Sequence, residues 1–322
     1  MKLTSQKNIF AHYALPIFAG ITLLPAASSS YALLIGVITA IAFGNPYSKY
    51  TKKITHTLLS IAVIGLGAGM NLGVIGKVGL SGIGYTVAGI GSAFLLGSIF
   101  GKFFKVEKDT SLLITVGTAI CGGSAIAAVA PVIKAKSHEV SVALGIVFIL
   151  NALALLIFPW IGHHLNLTET QFGLWSALAI HDTSSVVGAT IQYGSHALEV
   201  GTTVKLARAL WIVPIAMAVG MIRSRNQQLK AEITKSRKPW FILGFLLAAT
   251  LVTFIPSLQG IGHQIEAMAK RLMVLTLFFI GTNLTKETIQ TVGIAPFIQG
   301  VALWLVMAAG TLVAVTFGVI HL

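Results

Sequence analysis

Charge is what this sequence has least of. Only 10% of its 322 residues are charged, where soluble globular domains carry about 25%. That shortage excludes a soluble domain of any size. Acidic residues are scarcer still, nine against 22 lysines and arginines. Cysteine is nearly absent: Cys121 stands alone, so no internal disulfide can form. A single thiol in an apolar stretch is ordinarily an inert small hydrophobe. Neither GxSxG nor HExxH occurs, and no His/Cys set has metal-ligand spacing. With those absences the chain is not read as an enzyme, and no cofactor or metal is expected.

Apolar residues fill the space that charge leaves. They make up 55% of the chain, and the mean hydropathy is +0.87. A membrane-crossing helix needs about 20 mostly apolar residues, so an all-α polytopic membrane protein follows. The runs Tyr13–Leu24, Tyr31–Phe43, Leu58–Val78, Ser81–Phe104, Ser111–Ile133, Val140–Ile161, Phe172–Tyr193, Val204–Ile222, Trp240–Leu258, Met268–Leu284 and Ala295–Val319 give eleven segments. They are read as one transmembrane domain over residues 1–322, with halves at about 13–133 and 140–319. The first run resembles a signal peptide, but the apolar pattern resumes at Tyr31, which favours two short membrane segments. The net charge of +13 does not point to nucleic acid, because the basic residues sit in short loops. Placing the 223–238 loop in the cytoplasm also puts the N-terminus and the 49–53 and 102–108 loops inside. The C-terminus then lies outside.

One stretch organises the rest. Thr115–Pro131, TVGTAICGGSAIAAVAP, is apolar enough for a bilayer but carries adjacent glycines, each about 1 kcal/mol worse than alanine in a helix. It reads as two half-helices meeting at an unwound Cys121-Gly122-Gly123. Non-helical backbone at membrane depth survives only where protein or a water-filled cavity satisfies it, and broken helices of this kind form transporter substrate sites. Ala179–Thr190, AIHDTSSVVGAT, echoes it and adds His181, Asp182, Thr183, Ser184 and Ser185. The plain alternative is that small residues recur wherever membrane helices pack closely.

Asp182 is the one acidic residue expected in mid-segment, and an ionisable group there is a functional hypothesis by default. With His181 beside it, the pair is a candidate site for a coupling proton or sodium ion; a buried, internally satisfied pair is the alternative. Lys205 and Arg208, three apart, share a helix face. Arg208 is the candidate ligand for an anion, while Lys205 either joins it or snorkels to the interface. Half-helix N-termini at Gly123-Ser124 and Thr183-Ser184 would add N–H donors and positive dipole ends. The candidate substrate set is therefore Cys121, Gly122, Gly123, Ser124, Thr183, Ser184, Ser185, Lys205 and Arg208. Asn71 and Asn283, in a repeated Gly-x-Asn-Leu, are candidates for helix packing or for the site. An adjacent His-Asp pair does not share a helix face, which weighs against an intramembrane hydrolase; a passive anion channel is the nearer alternative.

At TVGTAICGGSAIAAVAPVIKAK, AIHDTSSVVGAT and VKLARALWIVP the chain resembles the YeiH family of bacterial inner-membrane proteins, commonly labelled sulfate exporters. The resemblance runs through nearly the whole chain. It implies a secondary transporter distantly related to the bile-acid symporter and sodium/proton antiporter folds, with inverted repeats and crossing discontinuous helices. It implies that Cys121 to Ser124, His181 and Asp182, and Lys205 and Arg208 stand at the family's motif positions. Glutamate often follows the histidine in that family; Asp182 keeps the carboxylate and shortens its reach. The expected function is ion-coupled, alternating-access transport of a small anion, sulfate or a related sulfur-containing anion. The expected partners are that anion and the bilayer, with a homodimer compatible with the sequence.

Overall fold

The computed structural model describes residues 2–24, 27–70, 72–223, 240–286, 290 and 293–321. All regular structure among them is helical: α1 (Lys2–Ile21), α2 (Ser29–Phe43), α3 (Ser48–Gly67), α4 (Leu72–Phe103), α5 (Lys108–Ala119), α6 (Gly123–Val132), α7 (Ser137–His164), α8 (Glu169–Ala179), α9 (Thr183–Tyr193), α10 (Ser195–Ala209), α11 (Ile212–Arg223), α12 (Trp240–Phe254), α13 (Gln259–Thr282) and α14 (Ile294–Thr316). The expected loop at 223–238 and Asn71 fall largely outside the described residues.

Polarity runs inside out, as it does when lipid is the solvent. Ile222, Phe254 and Phe317 are more than 70% exposed, while Lys205, Arg208 and His181 are buried. Among the described residues four helical stretches are long and apolar enough to cross a membrane: Ile83–Phe103, His138–His164, Ser195–Ile222 and Ile294–Thr316. A fifth arises if Leu243–Phe254 and Pro256–Thr282, bent by 112°, count as one. Several other expected spans are not continuous. Ser111–Ile133 divides into α5 and α6, and Phe172–Tyr193 into α8 and α9.

Around the third expected span the boundaries differ from the hydropathy reading. The third expected span, Leu58–Val78, is interrupted after Gly67, and α3 begins at Ser48 instead. Lys49, Lys52 and Lys53 therefore lie on its first turns, not in a loop. The backbone is closely packed at the interruption: a Cβ at Gly67 would strike the Phe245 carbonyl, and one at Gly69 the Glu266 carboxylate. Glu266, inside α13, pairs with Lys270 at 2.7 Å.

The interior is built by α7, α8 and α14 around aromatic rings. Phe158 stacks on Trp175 at 4.1 Å between centroids and on Trp304 at 5.9 Å, and Trp175 Nε1 donates to the Ala308 carbonyl at 2.9 Å. On the opposite side α2 lies against α13 with Gly36 facing Gly281, an approach that a methyl group on either would block.

Candidate functional site

The first break falls at Ile120-Cys121-Gly122. Gly122 takes φ +67°, ψ −126°, a region that side chains disfavour. A Cβ there would also press on Val147 at 3.1 Å and on Asp182 Cβ at 3.3 Å. The second break falls at Ile180-His181-Asp182, where Ile180 and Asp182 are extended. The two breaks therefore touch, Gly122 against Asp182. α6 starts at Gly123 and α9 at Thr183, where the sequence led one to expect half-helix N-termini.

Each break leaves carbonyls without helical partners, and α10 supplies the donors. Arg208 is 1% exposed. Its Nε donates to the Ala119 carbonyl at 2.9 Å; Nη2 donates to Ala119 at 2.7 Å and Thr118 at 3.3 Å. Nη1 donates to Leu178 at 2.6 Å and Ala177 at 3.2 Å. The guanidinium has five N–H groups in a fixed fork, and all five are used. Lys205, fully buried, donates from Nζ to Ile180 at 2.6 Å and Ala177 at 3.3 Å. One helix thus clamps the C-terminal ends of α5 and α8 with two basic side chains, where the helix dipole is negative.

This arrangement changes the reading of two residues. Arg208 has no N–H left for an anion, so a direct ligand role has no free donor here. Lys205 does not snorkel: α10 begins at Ser195, nine residues before the expected Val204, which carries both cations into the interior.

Asp182 does the opposite job at the start of α9. Its Oδ1 accepts the Ser185 N–H at 2.6 Å and the Ser184 hydroxyl at 2.8 Å, which makes it the N-cap of the helix. Its Oδ2 accepts from Asn151 Nδ2 at 2.5 Å, and Asn151 Oδ1 accepts the backbone N–H of His181 at 3.0 Å and of Asp182 at 3.3 Å. Asn151, in mid-α7, was not among the sequence candidates. Its signal was its being the sole amide in an otherwise apolar span. Asn151→Ala is expected to cost roughly 2 kcal/mol, lowering the thermal midpoint of the purified protein by several degrees. An unchanged midpoint would remove it from the framework of the site.

Thr183, Ser184, Ser185 and Cys121 are all buried around the crossing. His181 is 1% exposed, and neither ring nitrogen has a partner among the described residues. The start of α6 differs from the start of α9. It has no side-chain cap, and among the described residues the N–H groups of Gly123 and Ser124 have no acceptor. Ser124 is exposed and Gly123 partly so. Asn283 belongs elsewhere: it ends α13, where its Oδ1 accepts from Thr51 at 2.9 Å and Asn45 at 3.4 Å, which is helix packing.

An all-helical membrane protein with two broken helices in contact, their ends matched by buried charges, is the class these observations define. The chain belongs to the family described as Conserved hypothetical protein 698, which it matches over residues 9–300, and the resemblance to the YeiH family holds. It is 64% identical to the UPF0324 membrane protein of Bdellovibrio bacteriovorus, over 98% of this chain and 97% of that one. It is 48% identical to the corresponding membrane protein of Geobacter sulfurreducens, over 90% of this chain and 91% of its relative. The UPF0324 membrane protein of Vibrio parahaemolyticus is 45% identical, with 90% and 93% covered. No solved structure matches the chain significantly.

Proposed function

We propose that this chain is an ion-coupled secondary transporter of a small oxyanion, sulfate or a related sulfur-containing anion, in a bacterial inner membrane. The orientation that fits the basic residues has the N-terminus cytoplasmic and the C-terminus periplasmic. The observation that carries the reading is the asymmetry of the crossing. Three half-helix ends are met by charge: those of α5 and α8 by Arg208 and Lys205, and that of α9 by Asp182. The fourth, the N-terminus of α6, is open. Free N–H groups, the positive dipole end and an exposed hydroxyl on Ser124 suit an oxyanion.

The same geometry supports a coupling scheme. Asp182 stands against Gly122, so its carboxylate repels an anion arriving at α6. For charges about 6 Å apart at an effective dielectric of about 20, that repulsion is about 3 kcal/mol, or roughly a hundredfold in affinity. A proton or sodium ion on Asp182 cancels it, so each ligand favours the other by the same factor. His181 lies beside Asp182, with neither ring nitrogen partnered among the described residues. Movement of the half-helices about this crossing then gives alternating access. No cofactor and no nucleic acid enter the scheme.

The test is radiolabelled sulfate uptake into proteoliposomes, with proton and sodium gradients imposed separately. Wild type is expected to need one gradient. Ser124→Asp places a carboxylate in the open N-terminus; it should lower uptake at least tenfold while leaving the thermal midpoint unchanged or higher, since an acidic residue in a first turn is favourable. Flux that saturates with no gradient would indicate a passive channel, and no sulfate flux under either gradient would discard sulfate as substrate.

A further inference from the structure

A second cationic cleft lies away from the crossing. It is a half-open cleft of about 280 Å³ lined by Ser28, Ser29, Ile191, Gln192, Lys270 and Arg271, so it joins the α1–α2 turn, the end of α9 and the middle of α13. Arg271 Nη1 donates to the carbonyls of Leu24 at 3.1 Å and Ala27 at 3.2 Å. That fixes the guanidinium and leaves Nε and Nη2 without partners among the described residues. Lys270 contacts Glu266 at 2.7 Å, so the two cations and one carboxylate leave a net positive charge. Ser28 caps α2 by accepting the Tyr31 N–H at 3.3 Å, which leaves its own O–H to donate. Gln192 is already engaged on both sides, donating to Gly188 and accepting from Ser30, each at 2.8 Å.

We propose that this cleft binds a tetrahedral oxyanion of the phosphate or sulfate type. Arg271 offers a planar pair of donors from its unengaged edge, which matches two oxygens of such an anion. Lys270 adds a mobile point charge, and the α2 N-terminus and the Ser28 hydroxyl complete the donors. The chemistry is shared by a free solute anion and by the phosphate of an anionic lipid. The lipid source has a place for its chains: Leu24 and Met268, flanking the cleft in sequence, are 55% and 72% exposed. This site uses none of the residues at the crossing and stands whether or not the transport reading does.

The experiment is a thermal-midpoint titration of the full-length protein in detergent, with sulfate and with phosphate against chloride at matched ionic strength. Native mass spectrometry with phosphatidylglycerol and with phosphatidylcholine runs alongside it. Both are done in wild type and in Ser124→Asp, where the open end of α6 is filled. The expected result is stabilisation by the oxyanions, preferential retention of phosphatidylglycerol, or both, undiminished in Ser124→Asp and at least tenfold weaker in Lys270→Gln. Lys270 makes no backbone tie, so this substitution leaves the fold intact; Arg271→Gln, which also frees the α1–α2 turn, should lose binding altogether. Response to the free anions alone assigns a solute, and lipid selectivity alone assigns a headgroup phosphate. No response in either arm, or full strength in Lys270→Gln, overturns the proposal.

Discussion

Arg208→Ala is expected to leave little folded protein. The side chain holds four carbonyls at the ends of two half-helices through five N–H bonds, in a site almost wholly buried. Hydrogen bonds to a charged group contribute about 1.5–3 kcal/mol each, and removing one partner from a buried charged arrangement costs about 3–5 kcal/mol. Even with strong non-additivity the loss is on the order of 5 kcal/mol, comparable to the whole stability of many domains. Arg208→Lys keeps the charge but offers one nitrogen in place of a fork, so it should fall between the two. Size-exclusion profiles and thermal midpoints in detergent give the order wild type, Arg208→Lys, Arg208→Ala. A monodisperse Arg208→Ala with the wild-type midpoint and no sulfate binding would reverse the assignment and return the arginine to the anion.

How far the sequence led depends on which physical signal each feature leaves. The membrane class was legible because apolar composition is a bulk property. The first break was legible because Cys121-Gly122-Gly123 has poor helix propensity, and Gly122 does take a positive φ. The cations on α10 were legible as a pair, but not the direction of their side chains. A guanidinium in an apolar segment needs acceptors, and the nearest acceptors are not other residues' side chains but carbonyls that exist only because two helices are broken. Propensity shows the break; it does not show who satisfies it. Asn151 was missed for the same reason: a lone amide in an apolar run reads as helix packing until its partners are known. The start of α10 was missed because hydropathy sees Ser195–Thr203 as too polar for a span, while Thr202 and Thr203 are buried where α10 packs against α8 and α9. The Gly-x-Asn-Leu echo left Asn283 open between helix packing and the site, because its partners Asn45 and Thr51 stand more than 230 residues earlier in the chain, beyond the reach of any local pattern.

Asp182→Asn is expected to separate transport from its driving ion while leaving the protein folded. The amide of Asn151 is oriented by the backbone: its oxygen faces the N–H groups of His181 and Asp182, so its NH2 must face residue 182. An asparagine at 182 can still cap α9 through one oxygen, but its own NH2 then meets that of Asn151, donor against donor. Loss of that bond and of the negative charge at the α9 N-terminus should cost about 1–3 kcal/mol, a fall of a few degrees in the thermal midpoint. The functional effect is larger. A permanently neutral residue 182 no longer repels the anion, so binding at α6 ceases to require a proton or sodium ion. Gradient-driven accumulation of sulfate should fall at least tenfold, while exchange of internal for external sulfate with no gradient persists. Both are read in one proteoliposome preparation, by net uptake and by counterflow. Accumulation that still follows the gradient would make Asp182 a helix cap and nothing more. Loss of exchange together with accumulation would show that the carboxylate positions the substrate and does not gate it by charge.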